Sequence, residues 1–600
     1  MVNTNIDAKK NRIQSVARHV ALLLLDTVLV LILWTYATAD LGHYTARMDA
    51  DIASETLLGV RIFENGFRQP DTWVVSTHNY VIMAPNLASF IYPIVGKNMN
   101  LAMGLAIVIL FLLMAWLMYV CLNEVGLSHV GVISAMILSF SLMRTSDDIQ
   151  QMIFLYAAYY VVHFITLFLL LILYNRAIKK DKVSLWVFGL TLLLSFLNGL
   201  QGMHAALFCY MPLLGVEIVR RFVSFIKKEK QSNFKILGWL LSTAFLSVFA
   251  TKIVGSYTLG ASRNIRHAGE KFVEYVWPFF LDVISFENMP VLVALFCVFA
   301  AVGYFFMIKE LLTGGKESLA GTEGGAVAMT NAEGGAGADA DAKAKGSAGT
   351  ATKEIPLAEE KELAPACAGA PASSPFWSML AFPFGVIVCM LSSTFTTAEA
   401  APRYYVMILF VVGVGLALFM HFLKELLEKR NCKLAESKAG NRSDKGVMAI
   451  ASYVAFAVAA LVIVYGTDKA YIFNKDLIVN DNSSDWATAK VANWMEDHGY
   501  EYGYSTFNHA NPITVMSNNK VKVRAVNSMK EMQGAKWLSD KTWYPPYRSS
   551  EGPTCYIVSD SGDEDFAEFL AAQQPAIIEE DDVEGYSIYV LDHDYTVWVD

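Results

Sequence analysis

Long apolar stretches alternate with short polar segments along most of the chain. A helix needs about 20 apolar residues to cross roughly 30 Å of hydrocarbon. We therefore predict eleven membrane spans, at residues 19–39, 100–122, 130–143, 150–174, 184–199, 203–219, 236–254, 289–309, 376–394, 404–424 and 446–466. An odd number of spans places the two chain ends on opposite sides of the membrane.

Lysine and arginine residues indicate the orientation, because cytoplasmic loops of membrane proteins are enriched in them. The predicted inner segments include RAIKKDK (176–182), RRFVSFIKKEK (220–230) and KELLEKRNCK (424–433). The predicted outer loops after the third and ninth spans contain only Arg144 and Arg403. This distribution predicts a cytoplasmic N-terminus and an outer C-terminus.

The composition changes after the last span. Residues 467–600 contain 23 acidic and 10 basic side chains, a net charge of −13, which argues against a nucleic-acid or anionic-lipid partner. The pattern predicts a helix over 485–499, capped by Asp485 and ended by Gly499. It also predicts a second helix and four strands, in the segments EDFAEFLAAQ, YEYGYSTF, KVKVRAV, PTCYIVSD and YSIYVLD.

Residues 313–374 are rich in Gly, Ala, Lys and Glu and poor in large apolar side chains, which predicts a disordered cytoplasmic linker. The expected fold is mainly α, a polytopic membrane helix bundle with a small C-terminal α/β extracytoplasmic domain. We predict a membrane module at 1–312 with an acidic first outer loop at 41–99, the linker at 313–374, closing membrane helices at 375–466 and the outer domain at 467–600.

The first outer loop begins with MDADIASETLLG, in which Asp49, Asp51 and Glu55 lie within seven positions. We predict a helix from Asp51 to Asn65, capped by Asp51 and with Glu55 on the same face. A helix cap at Asp51 gives no structural explanation for the presence of Asp49. Paired carboxylates at a membrane exit can accept a proton from a hydroxyl or hold a divalent cation, Mg²⁺ or Mn²⁺, and the sequence leaves the metal open.

Further candidates lie in the other predicted outer segments. Asp147 and Asp148 form a second acidic pair, although an Asp there also suits a helix cap. A basic stripe interrupted by Glu270 and Glu274 is either a ligand site or a self-paired helix face. Its members and the remaining candidate substrate-binding residues are Arg263, Arg266, His267, Lys271, Arg403, Tyr404, His78 and His204. For the two histidines outside the stripe, a packing role is the alternative.

These residues suit transfer of a sugar from a lipid phosphate. The leaving phosphate is a weak base, so the protein must supply cations near the membrane and a carboxylate that takes the proton of the acceptor hydroxyl. One carboxylate and a phosphate leaving group predict a single displacement with inversion.

The chain resembles the GT-C superfamily of polyprenyl-phosphate-dependent glycosyltransferases. The resemblance rests on a first helix, an acidic outer loop with Asp49-Ala50-Asp51 and many further helices, and it is greatest to bacterial family-39-like membrane proteins of unassigned substrate. It implies that Asp49 is the general base, supported by Asp51 and Glu55. The absence of a WWD motif argues against peptide-sequon recognition of the oligosaccharyltransferase type.

The resemblance also implies a bacterial plasma-membrane location, a polyprenyl-phosphate sugar donor and a cell-envelope glycan, lipid or protein acceptor. Two other functions stay open at this stage. The chain could be a transporter or flippase, although no inverted repeat or broken helix pair is evident. It could also be a non-catalytic scaffold that presents its acidic outer domain to partners.

Overall fold

The computed structural model describes residues 2–75, 79–142, 157–229, 233–253, 266–278, 290–313, 374–396, 405–436 and 442–599. The predicted linker at 313–374 therefore lies almost entirely outside the described residues. Most described residues are helical, and a small sheet follows near the C-terminus. The mainly α architecture with a C-terminal α/β domain is thus confirmed.

Helices lie at the positions of the eleven predicted spans. Eight of the described helices are long and apolar enough to cross a membrane, and His129–Leu142 and Leu185–Gln201 are apolar but shorter. The helix Met211–Ile226 is also short and contains Glu217, Arg220 and Arg221, so the number of eleven spans stays a prediction. The helices of this part are α1 (Val2–Gly42), α4 (Met99–Val125), α5 (His129–Leu142), α6 (Ala157–Lys180), α7 (Leu185–Gln201), α8 (Met211–Ile226), α9 (Phe234–Ile253), α11 (Pro290–Thr313), α12 (Ala381–Phe395), α13 (Met407–Glu436) and α14 (Arg442–Asn474).

Small residues let several of these helices approach closely. A Cβ atom added to Gly104 of α4 would lie 1.9 Å from the carbonyl oxygen of Asp40 in the last turn of α1. Gly303 of α11 packs in the same way against the backbone of Gly415 in α13, where the corresponding distance is 2.1 Å. Close backbone packing of this kind is a usual source of helix association in membranes.

The first outer loop folds into short elements against the bundle. After a 3₁₀ turn at Tyr44–Arg47 come α2 (Ala50–Glu64), β1 (Trp73–Val74) and α3 (Ala84–Ile91). Helix α3 packs against both α2 and α4. A separate short helix, α10 (Ala268–Lys271), is followed by a π turn at Phe272–Val276 and packs against α12.

The C-terminal domain has a five-stranded sheet in the order β3-β2-β5-β7-β6, with β2 parallel to β3 and β5 and the remaining pairs antiparallel. The strands are β2 (Tyr502–Thr506), β3 (Lys522–Val526), β5 (Glu551–Ser559), β6 (Ile577–Val583) and β7 (Tyr586–His593), and the helices are α15 (Ala487–Asp497), α16 (Phe507–Met516) and α17 (Asp563–Gln573). Helix α15 ends near Gly499 as predicted, but its N-cap is Trp486, without a side-chain hydrogen bond, rather than Asp485.

The C-terminal domain is docked on the first outer loop. Its two-residue strand β4 (Ser539–Asp540) pairs antiparallel with β1. Arg61 of α2 donates to the fully buried carboxylate of Asp540 over 2.8 Å, and the Asn511 amide of α16 donates to the Ser54 hydroxyl over the same distance. The outer loop and the domain thus form one continuous packed unit.

Two of the three predicted inner basic segments, 176–182 and 220–230, meet at the end of the bundle opposite the C-terminal domain. The backbone N–H of Asn233 donates to Asp181, and Arg221 donates to the carbonyl of Asn233, each over 2.7 Å. Arg176, at the same end, pairs with Glu124 at the far end of α4. At the other end of α4, the N–H of Met99 donates to the Asn518 side chain of the C-terminal domain over 2.9 Å. This separation agrees with the predicted orientation.

Candidate active site

The acidic motif lies where α1 leaves the predicted membrane region and α2 begins. Asp49 is the N-cap of α2, because its Oδ1 accepts a hydrogen bond from the N–H of Ile52 over 2.9 Å. The expected cap, Asp51, instead lies in the first turn and is exposed. The cap prediction for Asp51 was therefore wrong, and Asp49 has a structural role that the sequence did not assign to it.

Glu55 is the buried carboxyl of the motif. Its side chain is only 3% exposed, and the hydroxyl of Tyr80 donates to its Oε1 over 3.0 Å. Its Oε2 is buried and accepts no hydrogen bond from the described residues. The pKa of Glu55 is raised to about 8, mainly by burial; the hydrogen bond from Tyr80 lowers this pKa, and the charges of Asp51 and Asp49 raise it. Glu55 is thus mostly protonated at neutral pH, whereas Asp51 remains exposed on the same helix.

Other polar groups gather around these carboxyls. The Tyr44 hydroxyl lies 2.8 Å from the Thr56 hydroxyl, and burial raises the pKa of Tyr44, with a further contribution from the charges of Glu55, Asp40 and Asp49. Asp40 is buried in the last turn of α1. Sequence reasoning missed both Tyr44 and Asp40, although their positions flanking the exit of the first span were a usable signal.

Arg47 is a cation that sequence reasoning also missed. It belongs to the 3₁₀ turn immediately before Asp49, and its Nε is buried without a hydrogen-bond acceptor among the described residues. An arginine nitrogen that lacks an acceptor can bind a phosphate or another oxyanion. The turn thus places a donor for an anion two residues from the acidic motif.

The loop around Tyr80 connects the acidic helix to the outer ends of two membrane helices. The backbone N–H groups of Val81 and Ile82 both donate to the Gln201 side chain at the end of α7, over 3.2 and 2.7 Å. Gln201 in turn donates weakly to Asn198, whose amide donates to Thr166 of α6 over 3.2 Å. A continuous polar layer therefore extends from α2 across the bundle.

His204 borders this layer. Its ring is half-buried and lies 5.9 Å, centroid to centroid, from the ring of His163, in a stacked orientation. His163 is 1% exposed, and neither ring nitrogen has a hydrogen-bond partner among the described residues. The rings of Tyr160 and Phe208 also lie about His204, which is the packing alternative, and its role in substrate binding stays a prediction.

The predicted cationic stripe is described only in part. The ammonium group of Lys271 donates to the carbonyl of Thr396 over 2.6 Å, which ties the stripe to the residue that follows α12. His267 pairs with Glu270 on an exposed surface, 3.0 Å apart, as the self-paired alternative expected, and Arg266 is exposed beside it. Helix α10 contacts the π turn that follows it, and it also contacts α12.

Several candidates lie outside the described residues, so their placement stays a prediction. They are His78, Asp147, Asp148, Arg263, Arg403 and Tyr404. Within the part of the chain that the structure describes, no three His, Cys, Asp or Glu side chains are grouped so that they could hold a metal ion. A divalent cation between the first-loop motif and the second acidic pair stays a sequence-based prediction.

Comparison with known proteins gives similarities among solved structures. No protein-family model matches the sequence, and no curated protein matches it significantly. Among solved structures, the chain is similar to ArnT from Cupriavidus metallidurans bound to undecaprenyl phosphate, with 11% identity, a TM-score of 0.44 and coverage of 95% of this chain and 97% of that one. For the apo state of ArnT the values are 10%, 0.45, 96% and 98%.

Proposed function

We propose that the protein is an inverting glycosyltransferase of the bacterial plasma membrane. It transfers a sugar from a polyprenyl-phosphate carrier to a hydroxyl of a cell-envelope acceptor, a glycan, lipid or protein, on the outer face. The observation that carries this proposal is the cluster of Asp49, Asp51 and buried Glu55 on one short helix, at the outer end of a membrane bundle. An enzyme that used a water-soluble sugar donor would not need its acidic site at the end of a membrane helix.

In the proposed reaction, Asp49 takes the proton of the acceptor hydroxyl as its oxygen forms a bond to the anomeric carbon. The bond between that carbon and the phosphate oxygen breaks, and the polyprenyl phosphate leaves with the electron pair. The phosphate leaves as a stable anion, so no general acid is required. One displacement at the anomeric carbon inverts its configuration.

The surrounding side chains support this assignment of roles. Protonated Glu55 adds no negative charge near Asp49, and its buried Oε2 has no hydrogen-bond partner among the described residues. Arg47 supplies a buried Nε for the phosphate, and Lys271 adds a cation near the outer end of α12. Charge-assisted hydrogen bonds from such groups stabilise the negative charge that develops on the leaving phosphate.

The position of Asp49 at the helix N-cap permits a sharp test of its charge. Asparagine caps helices about as well as aspartate, so Asp49→Asn keeps the start of α2 while it removes the proton acceptor. Asp71→Asn is the matched control, because Asp71 is an exposed acid in the same outer loop. Both variants would replace the wild-type chain in cells, and mass spectrometry would compare the envelope glycans and lipids.

We expect Asp49→Asn to abolish one glycan modification while its amount in the membrane stays normal, and Asp71→Asn to retain that modification. A glycan profile that is the same in wild type and Asp49→Asn would contradict the proposal and favour a scaffold or a transporter. Identification of the glycolipid that co-purifies with the protein would then define the donor sugar.

A further inference from the structure

The interface between the outer loop and the C-terminal domain contains a buried arginine without a counter-ion among the described residues. Arg524 lies on β3, opposite Tyr504 of β2, and is only 6% exposed. Its guanidinium stacks over the indole ring of Trp543, with its central carbon 4.1 Å from the ring centroid. Stacking satisfies the face of a guanidinium but not the N–H groups along its edge.

The edge of this guanidinium lacks acceptors. Both Nε and Nη1 of Arg524 are buried, and neither has a hydrogen-bond partner among the described residues. The hydroxyls of Tyr544 and Tyr504 donate to the carbonyl of Ala525 and to Asp594, and neither accepts a hydrogen bond from these two nitrogens. Burial lowers the pKa of Arg524 to about 10, so the group keeps its charge at neutral pH.

The neighbouring arginines, in contrast, each have a carboxylate. Arg61 pairs with Asp540, and Arg548 pairs with Asp594 over 2.8 Å. The positive charge of Arg61 also lowers the pKa of Arg524. The described residues therefore leave one buried positive charge uncompensated in this interface, an arrangement that is unfavourable when no anion is bound there.

A second donor in the same place also lacks an acceptor. Trp73 of β1 makes an edge-to-face contact with Trp543, with ring centroids 5.5 Å apart, and is 4% exposed. Its Nε1 is buried and donates to none of the described residues. Trp73 comes from the outer loop and Arg524 from the C-terminal domain, so unsatisfied donors approach Trp543 from both sides of the interface.

We propose that Arg524 and Trp73 form a binding site for an oxyanion, a phosphate or carboxylate group, at Trp543. The unsatisfied groups of the two residues that contact Trp543, Arg524 and Trp73, are donors, and Arg524 is charged, which matches the acceptor oxygens of an anion and not a neutral donor-bearing ligand. The site is separate from the acidic motif and does not depend on sugar transfer. The anion comes from a small solute, an acidic sugar or a lipid head group, and the test separates these sources.

The experiment measures thermal unfolding of the full-length protein in a nonionic detergent. Sodium phosphate and sodium glucuronate are each compared with sodium chloride at equal ionic strength, and nanodiscs of phosphatidylglycerol are compared with nanodiscs of phosphatidylcholine. A ligand that binds only the folded protein raises the unfolding midpoint with its concentration. We expect at least one of the three anions to raise the midpoint of the wild type, and the identity of that anion defines the source.

Two variants test the residues, and a third is the control. Arg524→Gln should weaken the anion response about tenfold or more, because it removes a charge-assisted hydrogen bond. Trp73→Phe keeps the ring and removes only the N–H, so it should weaken the response by a smaller factor. Lys530→Gln removes an exposed lysine of the same domain that is paired with Glu568, and it should respond like the wild type.

Either of two results would overturn the proposal. In the first, none of the three anions raises the wild-type midpoint above its chloride or phosphatidylcholine reference. In the second, Arg524→Gln and Trp73→Phe respond with the same midpoint concentration as the wild type. Trp73→Phe conserves the packing, so if Arg524→Gln does not fold, the response of Trp73→Phe alone decides the second result.

Discussion

Asp49 combines a structural and a proposed chemical role in one carboxylate. One of its oxygens holds the N–H of Ile52 at the start of α2, which fixes the orientation of the side chain. The positive end of the helix dipole also favours the ionised form of a carboxylate at this position. A base that is held in place by its own helix loses little entropy when the acceptor hydroxyl binds beside it.

Glu55 gives a prediction about pH. Its pKa of about 8 in the folded protein lies above the ordinary value of 4.5, so the folded state binds this proton more tightly than the unfolded state. The resulting stabilisation is fully present below the unfolded pKa and is lost as the pH rises through the folded pKa, at about 1.4 kcal/mol for each pH unit between the two values. Glu55→Gln should remove this dependence, because glutamine is neutral at every pH.

The measurement is the thermal unfolding midpoint between about pH 5 and about pH 9, a range that begins just above the unfolded pKa and ends above the folded one. The wild-type midpoint should fall over this range more steeply than that of Glu55→Gln, and the control Asp71→Asn should follow the wild type. Equal slopes for wild type and Glu55→Gln would mean that Glu55 is not held protonated in the folded protein.

The sequence located the acidic motif but did not show which of its carboxyl groups is buried. The burial of Glu55 depends on Tyr80, which lies 25 positions away and reaches it through a loop held by Gln201. Such contacts leave no periodic pattern in the sequence. Arg524 was likewise hidden, because an arginine in KVKVRAV is typical of an exposed strand face.

At the element scale, the crossing of α1 and α4 positions the start of the outer loop. Gly104 permits this crossing, since a Cβ atom there would collide with the backbone of Asp40. Gly104→Ala should therefore push the two helices apart, displace the exit of α1 and lower both the unfolding midpoint and sugar transfer. The backbone cannot yield like a flexible side chain, so we expect a loss of about 2 kcal/mol or more.

Gly189→Ala is the matched control, because a Cβ atom at Gly189 of α7 would have no neighbour within 4 Å. In a helix, alanine is intrinsically favoured over glycine by about 1 kcal/mol, so this control should be neutral or slightly stabilising. If Gly104→Ala behaves like Gly189→Ala, the close crossing does not support the site.

Elements with a strong repeat were predictable, and elements without one were not. Twenty-residue apolar segments identified the membrane helices, and alternating apolar positions identified β2, β3, β5 and β7. Strand β6 was missed because its sequence, IIEEDDV, is mostly acidic and lies on the edge of the sheet. Helix α16 was missed because Pro512 lies inside it, and β1 and β4 have only two residues each.

The proposed reaction requires the first outer loop and the C-terminal domain to lie on the same, outer side of the membrane. Cysteines introduced by Asp71→Cys and Lys490→Cys should react with a membrane-impermeant maleimide in intact spheroplasts. A cysteine introduced by Lys180→Cys, in the basic end of α6, should react only after permeabilisation. The wild-type chain gives the background, and its described cysteines are buried or half-buried.

Labelling of Lys180→Cys in intact spheroplasts, with protection of the other two, would invert the orientation. The proposed site would then face the cytoplasm, where a base for an outer-face acceptor has no use. The predicted orientation rests on loop charges that the sequence shows directly, whereas the docking of the C-terminal domain through Arg61 and Asp540 depends on residues 479 positions apart.

The central claim is that the ionised carboxylate of Asp49 takes the proton of the acceptor. Its most direct test is the single-turnover rate of sugar release from the bound polyprenyl-phosphate donor, measured with purified wild type and Asp49→Asn at equal donor occupancy. Loss of the general base should lower the rate about 10²–10⁴-fold while donor binding is unchanged. An Asp49→Asn rate within about threefold of the wild type would contradict the account.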